Sequence, residues 1–155
     1  MSDYNIIIVG EDNLTRSIVA EAVLKQILKE KDTSNVNIIS RGIVVLFSEP
    51  IFPKAAVTLH DHGCESVSKR STELTQEDID HANLILTIGK NDVEHIRESF
   101  DVNTTCMFLG TFIDMEEELP AIKEDTREDY EKLFQVTRQS MEAVADRLIL
   151  ELLIP

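Results

Sequence analysis

Residues 10–17 form a short polar segment, Gly-Glu-Asp-Asn-Leu-Thr-Arg-Ser, which follows an apolar Ile-Ile-Ile-Val run. Apolar residues recur at helical spacing beyond it, so the pattern predicts a strand, a loop and a helix. This arrangement usually cradles an anion, because free backbone N–H groups and the helix dipole face the loop. The loop carries one cation, Arg16, and two acids, Glu11 and Asp12, but no obvious nucleophile.

Arg16 is expected to have a negative partner, because a cation in the first turn of a helix opposes the dipole at a cost of about 0.3–1 kcal/mol. Two partners compete: a phosphate or sulfate bound in the loop, or the carboxylate of Glu11 or Asp12. Two acids in so short a loop weaken the binding of a dianion, so we favour the carboxylate. A third interpretation leaves Arg16 in solvent, since surface arginines are common.

The composition predicts one domain over residues 1–155, because 155 residues with 43% hydrophobic content can bury a sizeable core. The formal net charge of −14 argues against nonspecific binding to nucleic acid or to an anionic membrane. No basic leader precedes an apolar run, and no stretch approaches the roughly 20 apolar residues of a membrane span. We therefore expect a cytoplasmic protein.

The cysteines and histidines predict neither a metal site nor a cofactor. Cys64 and Cys106 are too few for a disulfide framework and form no CxxC pair, so we interpret both as buried thiols. The four histidines do not have ligand spacing either: His60, His62, His81 and His95.

Strands and helices are predicted to alternate along the chain. The strands fall near residues 4–9, 35–40, 83–88 and 104–110, and the helices follow the first loop and then lie near 52–63, 76–82, 91–100 and 127–153. Thr75 is a plausible N-cap with Asp78 in the capping-box position. Nearly all-apolar strands indicate a parallel sheet covered on both faces, with ligands at the carboxyl ends of the strands.

The sequence resembles the low-molecular-weight protein tyrosine phosphatases over most of its length. That family has a Cys-x5-Arg-Ser loop, commonly with Gly-Asn inside it, and a Met-Ala-Glu-Ala-like helix start; this chain has VGEDNLTRSIVAEA. The Ser-Arg-Gly at residues 40–42 resembles the family's Ser-Ala-Gly, and residues 58–96 follow another family segment almost without gaps. The resemblance implies a three-layer α/β/α fold with a central parallel four-stranded sheet.

The resemblance also implies a degenerate active site. Gly10 stands where the family has its nucleophilic cysteine, and Ala121 stands at the position of the Asp that protonates the leaving oxygen. The aromatic residues that follow that Asp are absent, although a displaced acid at Glu118, Glu124 or Asp125 is conceivable. Thr15 and Ser17 are unactivated hydroxyls with no His or Lys nearby in sequence.

The remaining loop residues are expected to keep part of an anion cradle. Asn13 and Ser17 would organise the loop, Ser40 would support it, and Asp12, at the family's usual Gly position, would be tolerable with a positive φ. The anion-binding loop would comprise Gly10, Glu11, Asp12, Asn13, Leu14, Thr15, Arg16 and Ser17.

Two functions follow from this interpretation. The first is a binding or regulatory pseudophosphatase with a phosphorylated or basic protein partner, and the alternative is a slow phosphatase for phosphotyrosine or a small phosphoester with relocated catalytic groups.

Residues 114–131 contain nine acids and two bases, which predicts either a solvated segment or a docking surface for a basic partner.

Overall fold

The computed structural model describes residues 3–65 and 70–151. Each strand in these ranges is followed by one or two helices, in the order β1 (Tyr4–Gly10), α1 (Arg16–Glu30), β2 (Val36–Gly42), α2 (Pro53–Asp61), α3 (Gln76–His81), β3 (Leu84–Thr87), α4 (Asp92–Ser99), β4 (Thr105–Phe108), α5 (Leu109–Ile113) and α6 (Arg127–Glu151).

The strands form one parallel four-stranded sheet in the order β2-β1-β3-β4. Strand β1 is central, and its last residue, Gly10, pairs with Gly42 at the end of β2. Strand β2 lies on one side of β1, and β3 lies on the other. The loop after β1 therefore lies at the point where the strand order reverses. In open α/β sheets this point is the usual place for a ligand.

Helices cover both faces of the sheet, as the alternation predicts. Ile6 and Ile8 of β1 pack in a core with buried residues of α1, α2, α5 and α6. Ile7 and Val9 point to the other face, where they pack with Ile79 of α3 and residues of α4. The expected three-layer α/β/α architecture is therefore confirmed.

Local sequence signals fix several helix ends. The Thr75 hydroxyl accepts the Asp78 N–H and the Asp78 carboxylate accepts the Thr75 N–H, which confirms the capping box. Pro53 begins α2, and Gly63 follows its end with a φ of 76°. That left-handed conformation favours glycine.

The structure differs from the sequence-based expectation at two elements. Strand β2 continues to Gly42, and the strand predicted near residues 104–110 ends at Phe108 and is followed by the short helix α5. Leu109 and Phe112 of this helix are buried in the core. An apolar run this short does not distinguish a strand from a buried helical turn. The predicted end of the last helix, at residue 153, lies outside the described residues.

Candidate active site

The loop at residues 10–15 joins the carboxyl end of β1 to α1. Asn13 organises it, as the sequence analysis expects: the side chain is fully buried, and its Nδ2 donates to Ser17 Oγ at 2.9 Å. Its Oδ1 accepts the backbone N–H of Thr72 at 2.9 Å. Asn13 itself has a φ of 56°, so Asn13 and not Asp12 takes the left-handed conformation. Asn visits that region more readily than most residues.

Gly42 allows the loop to lie close to the end of β2. A Cβ atom at this position would lie 2.6 Å from Val45 Cγ2, 2.9 Å from the backbone carbon of Asp12 and 3.0 Å from Asn13 Cβ. Only glycine avoids these contacts. The glycine of the Ser40–Gly42 segment is thus part of the packing that shapes the loop.

Ser40 is buried, but its hydroxyl donates to Glu21 Oε1 at 2.7 Å and not to the loop. Glu21 also accepts Lys25 Nζ at 2.7 Å. Ser40 therefore ties β2 to helix α1, and it reaches the loop only through that helix.

Arg16 has a negative partner, and that partner differs from the one predicted. Its Nη1 lies 3.6 Å from Glu118 Oε1 and donates to the backbone oxygen of Leu119 at 3.1 Å. The other carboxylate oxygen of Glu118 accepts the N–H of Lys90 at 2.9 Å. The expectation that Glu11 or Asp12 would pair with Arg16 is therefore wrong, as is the solvent-facing alternative. Glu118, which belongs to the segment before α6, is the acid that contacts Arg16 instead.

The two loop acids lie at the surface instead. The Asp12 carboxylate accepts the N–H of Leu14 at 3.1 Å, so it occupies one loop amide. The Glu11 side chain is exposed, and its backbone oxygen accepts the N–H of Val44 at 2.8 Å. Thr15 is the N-cap residue of α1, and its side chain makes no capping hydrogen bond.

Gly10 and Ala121 line the same cavity, although they are far apart in sequence. Its volume is about 210 Å³, and its lining residues are Gly10, Glu11, Asp12, Thr15, Arg16, Ser17, Phe52, Ile88, Ala121 and Ile122. A Cβ atom at Gly10 would lie 3.1 Å from Ser17 Oγ. The structure thus brings together the position expected to carry a nucleophile and the position expected to carry an acid.

Asp92 is a titratable residue of this region that the sequence analysis missed. Burial raises the pKa of its carboxyl, and the charges of Glu11 and Glu118 act in the same direction, whereas the Gly89 N–H, which donates at 3.1 Å, lowers it. Its position just after β3 is a signal that could have identified it, because β3 is the neighbour of β1 and their carboxyl ends meet at one edge. The charges of Glu11 and Glu118 therefore act on the Asp92 carboxyl.

The other candidates lie away from the loop. Cys64 and Cys106 are free and buried, and burial raises the pKa of both thiols. His62 stacks on the Phe134 ring and contacts Glu131 at 2.8 Å. In residues 3–65 and 70–151, no group of three or more His, Cys, Asp and Glu side chains could hold a metal ion. Over the same ranges, no helix combines the length and the apolar character needed to cross a membrane.

The fold is a parallel α/β sheet in which a short polar loop joins β1 to α1, and Arg16 is the first residue of that helix. The family model for low molecular weight phosphotyrosine protein phosphatase matches residues 5–153. The chain therefore belongs to the low molecular weight phosphotyrosine protein phosphatase family.

Individual relatives agree with this assignment. The chain is 31% identical over 103 residues, 66% of this chain and 68% of the relative, to the probable low molecular weight protein-tyrosine-phosphatase EpsP of Ralstonia solanacearum. It is 27% identical to the EpsP protein of Ralstonia nicotianae over 92% of this chain and 94% of that one. The crystal structure of a low molecular weight protein tyrosine phosphatase from T. tengcongensis matches with a TM-score of 0.87 at 18% identity, covering 94% of this chain and all of the other.

Proposed function

We propose that this chain is a noncatalytic member of its family, a cytoplasmic pseudophosphatase that acts by binding or by regulating another protein. The observation that supports the proposal is Gly10, which lines the loop cavity. The family resemblance implies that the nucleophilic cysteine belongs at this position. Glycine has no side chain that could attack phosphorus. Ala121, in the lining of the same cavity, has no proton to give to a leaving oxygen.

The hydroxyls of the loop are poor substitutes for the missing thiol. Ser17 Oγ is almost fully buried and accepts a hydrogen bond from Asn13 Nδ2, a group that cannot remove its proton. In the described ranges, no histidine, lysine or carboxylate is hydrogen-bonded to Ser17 or Thr15 that could serve as a base. An unactivated hydroxyl is a weak nucleophile at neutral pH.

The surroundings of Arg16 also support a noncatalytic function. In phosphoryl transfer the arginine stabilises the phosphoryl oxygens, but here it contacts Glu118 and the Leu119 oxygen. The charges of Glu11, Asp12 and Glu118 oppose a phosphate dianion in the cavity. We therefore expect inorganic phosphate to bind in the millimolar range or more weakly.

A slow phosphatase is the second candidate. The observation that favours it is the position of Glu118, 3.6 Å from Arg16 Nη1, which would act as a displaced general acid once protonated. The acid would still need a nucleophile from Thr15, Ser17 or water, which is why we rank this function second.

Hydrolysis of p-nitrophenyl phosphate separates the two functions. The purified protein is expected to release no p-nitrophenol above the buffer blank. Thr15→Ala, Ser17→Ala and Glu118→Gln are compared with Glu98→Gln, which removes an exposed acid in α4 away from the loop. Activity that Glu118→Gln abolishes and Glu98→Gln retains would establish the slow enzyme, whereas equal activity in all variants would indicate a contaminating phosphatase.

A further inference from the structure

The segment that follows β2 exposes several large apolar side chains. Val44 is 53% exposed, Leu46 83%, Phe47 80% and Phe52 41%, and we call these four residues the apolar platform. Phe52 also lines the loop cavity, so this member of the platform lies at the candidate site. Val44, Leu46 and Phe47 fall within four consecutive residues, and exposed apolar side chains grouped in this way mark interaction surfaces more often than scattered single ones do.

Backbone hydrogen bonds hold the platform in place beside the loop. The N–H groups of Ile43 and Val44 donate to the oxygens of Gly10 and Glu11 at 3.1 and 2.8 Å. Further along, the Ser71 N–H donates to the Glu49 oxygen at 2.7 Å, and the Glu49 N–H donates to Ser71 Oγ at 2.8 Å. A surface already fixed in this way loses little backbone entropy when a partner binds.

Acidic side chains border the platform. Glu11, Asp12 and Glu49 are exposed, and the side chain of Glu118, which contacts Arg16 of the cavity lining, is 39% exposed. Two described cations of this region already have acceptors: Arg16 contacts Glu118 and the Leu119 oxygen, and Arg70 Nη2 donates to the Ser48 oxygen at 2.7 Å. The negative charge around the platform is therefore only partly compensated.

We propose that the apolar platform and the adjacent acidic loop dock a segment of another protein that carries Lys or Arg beside Leu, Ile or Phe side chains. The apolar side chains of the partner cover Leu46 and Phe47, and its basic groups face Glu11 and Asp12. A long basic side chain can also enter the cavity, where Phe52, Ile88 and Ile122 contact its aliphatic stem.

A segment with basic and apolar side chains fits this surface better than a second copy of the chain or a phosphorylated segment does. A second copy of the chain would place one acidic loop against another in a molecule of net charge −14. A phosphorylated segment would have to displace Glu118 from Arg16 and would meet the loop acids. The inference rests on the proposed noncatalytic function and names the class of partner for it.

The test measures binding of short synthetic peptides to the full chain by fluorescence anisotropy. One peptide alternates Lys and Arg with Leu and Phe, a second keeps the basic residues but replaces Leu and Phe by Ser and Gln, and a third carries phosphotyrosine without basic residues. We expect the first peptide to bind about fivefold or more tightly than the others, which corresponds to one well-placed apolar contact.

Matched variants assign the binding to this surface. Leu46→Gln is compared with Leu150→Gln, the same change at a residue of α6 that is 69% exposed, and Glu11→Gln is compared with Glu98→Gln. Leu46→Gln and Glu11→Gln should each weaken binding about fivefold, whereas their controls should change it less than about twofold.

Several results would overturn the proposal: no binding of the first peptide, equal binding of the basic polar peptide, tighter binding of the phosphopeptide, or equal losses in a variant and its control. The phosphatase assay on the same samples keeps the two proposals separate. Turnover of p-nitrophenyl phosphate would contradict the noncatalytic function, whereas absent turnover with absent peptide binding would contradict the docking surface alone.

Discussion

Introducing a thiol at position 10 and a carboxylic acid at position 121 should give this protein phosphatase activity. The variant combines Gly10→Cys, which supplies a nucleophile, with Ala121→Asp, which supplies an acid. Glu11→Thr and Asp12→Gly remove the loop acids, and Glu118→Gln frees Arg16 from its carboxylate partner. The last change was not evident from the loop sequence.

A side chain at Gly10 would make two tight contacts, both with Ser17. Its Cβ atom would lie 3.1 Å from Ser17 Oγ, 3.2 Å from Ser17 Cβ and 3.8 Å from Ile88 Cγ1, so Ser17 needs to move by only a few tenths of an ångström. The loop amides and the freed Arg16 should lower the pKa of the new thiol, as positive surroundings and helix N-termini do. The thiolate is the form that attacks phosphorus.

The general acid at position 121 determines how large the increase in the rate of hydrolysis should be. A positioned general acid contributes about 10² to 10⁴ in rate, or about 3–5 kcal/mol of activation free energy. The variant with Asp at position 121 should therefore release p-nitrophenol about 10² to 10⁴ times faster than the same variant with Ala121. The matched control carries Gly10→Ser in the same background, because serine has nearly the same shape but no thiol.

The assay combines p-nitrophenol release with detection of a cysteinyl-phosphate intermediate by mass spectrometry. Vanadate or iodoacetate should block the reaction. If the variant folds and binds phosphate but forms no intermediate, then Gly10 is not the nucleophile position and the loop is not a disabled phosphatase loop. Equal rates with Asp and Ala at position 121 would show that this position does not face the leaving group.

Two further predictions concern stability. Gly42→Ala places a Cβ atom 2.6 Å from Val45 Cγ2, so it should lower the free energy of unfolding in urea by about 1–3 kcal/mol, and by more than Gly10→Ala does; equal losses would contradict the packing argument. Burial and then the Asp125 carboxylate raise the pKa of Tyr130 from 10.0 to about 12. Because the unfolded phenol ionises first, the stability that Tyr130 contributes is complete below pH 10 and is lost as the pH rises to about 12. Between pH 10 and about 12, the urea midpoint of unfolding should fall less steeply with pH in Tyr130→Phe than in the unchanged protein. Equal slopes in the two proteins would refute the raised pKa of Tyr130.

Much of the fold was predictable from the sequence because its signals are local. The apolar run that ends at Val9 alternates between the two cores of the sheet, as strand geometry requires. Thr75 and Asp78 are three residues apart, so their capping box depends on one helical turn only. The family resemblance, with its cysteine six residues before the arginine, assigns Gly10 to the nucleophile position, and this assignment stays a prediction.

The tertiary structure alone decided which groups meet at the loop. The hydrogen bond from Arg16 to Leu119 spans 103 residues, and the neighbouring Glu118 is one of nine acids between residues 114 and 131. Charge counting favoured Glu11 and Asp12 because they are close in sequence, but the path of the chain before α6 brings Glu118 to Arg16 instead. Composition and spacing determine what a loop can bind, whereas the distances between charges depend on how remote segments pack over the end of the sheet.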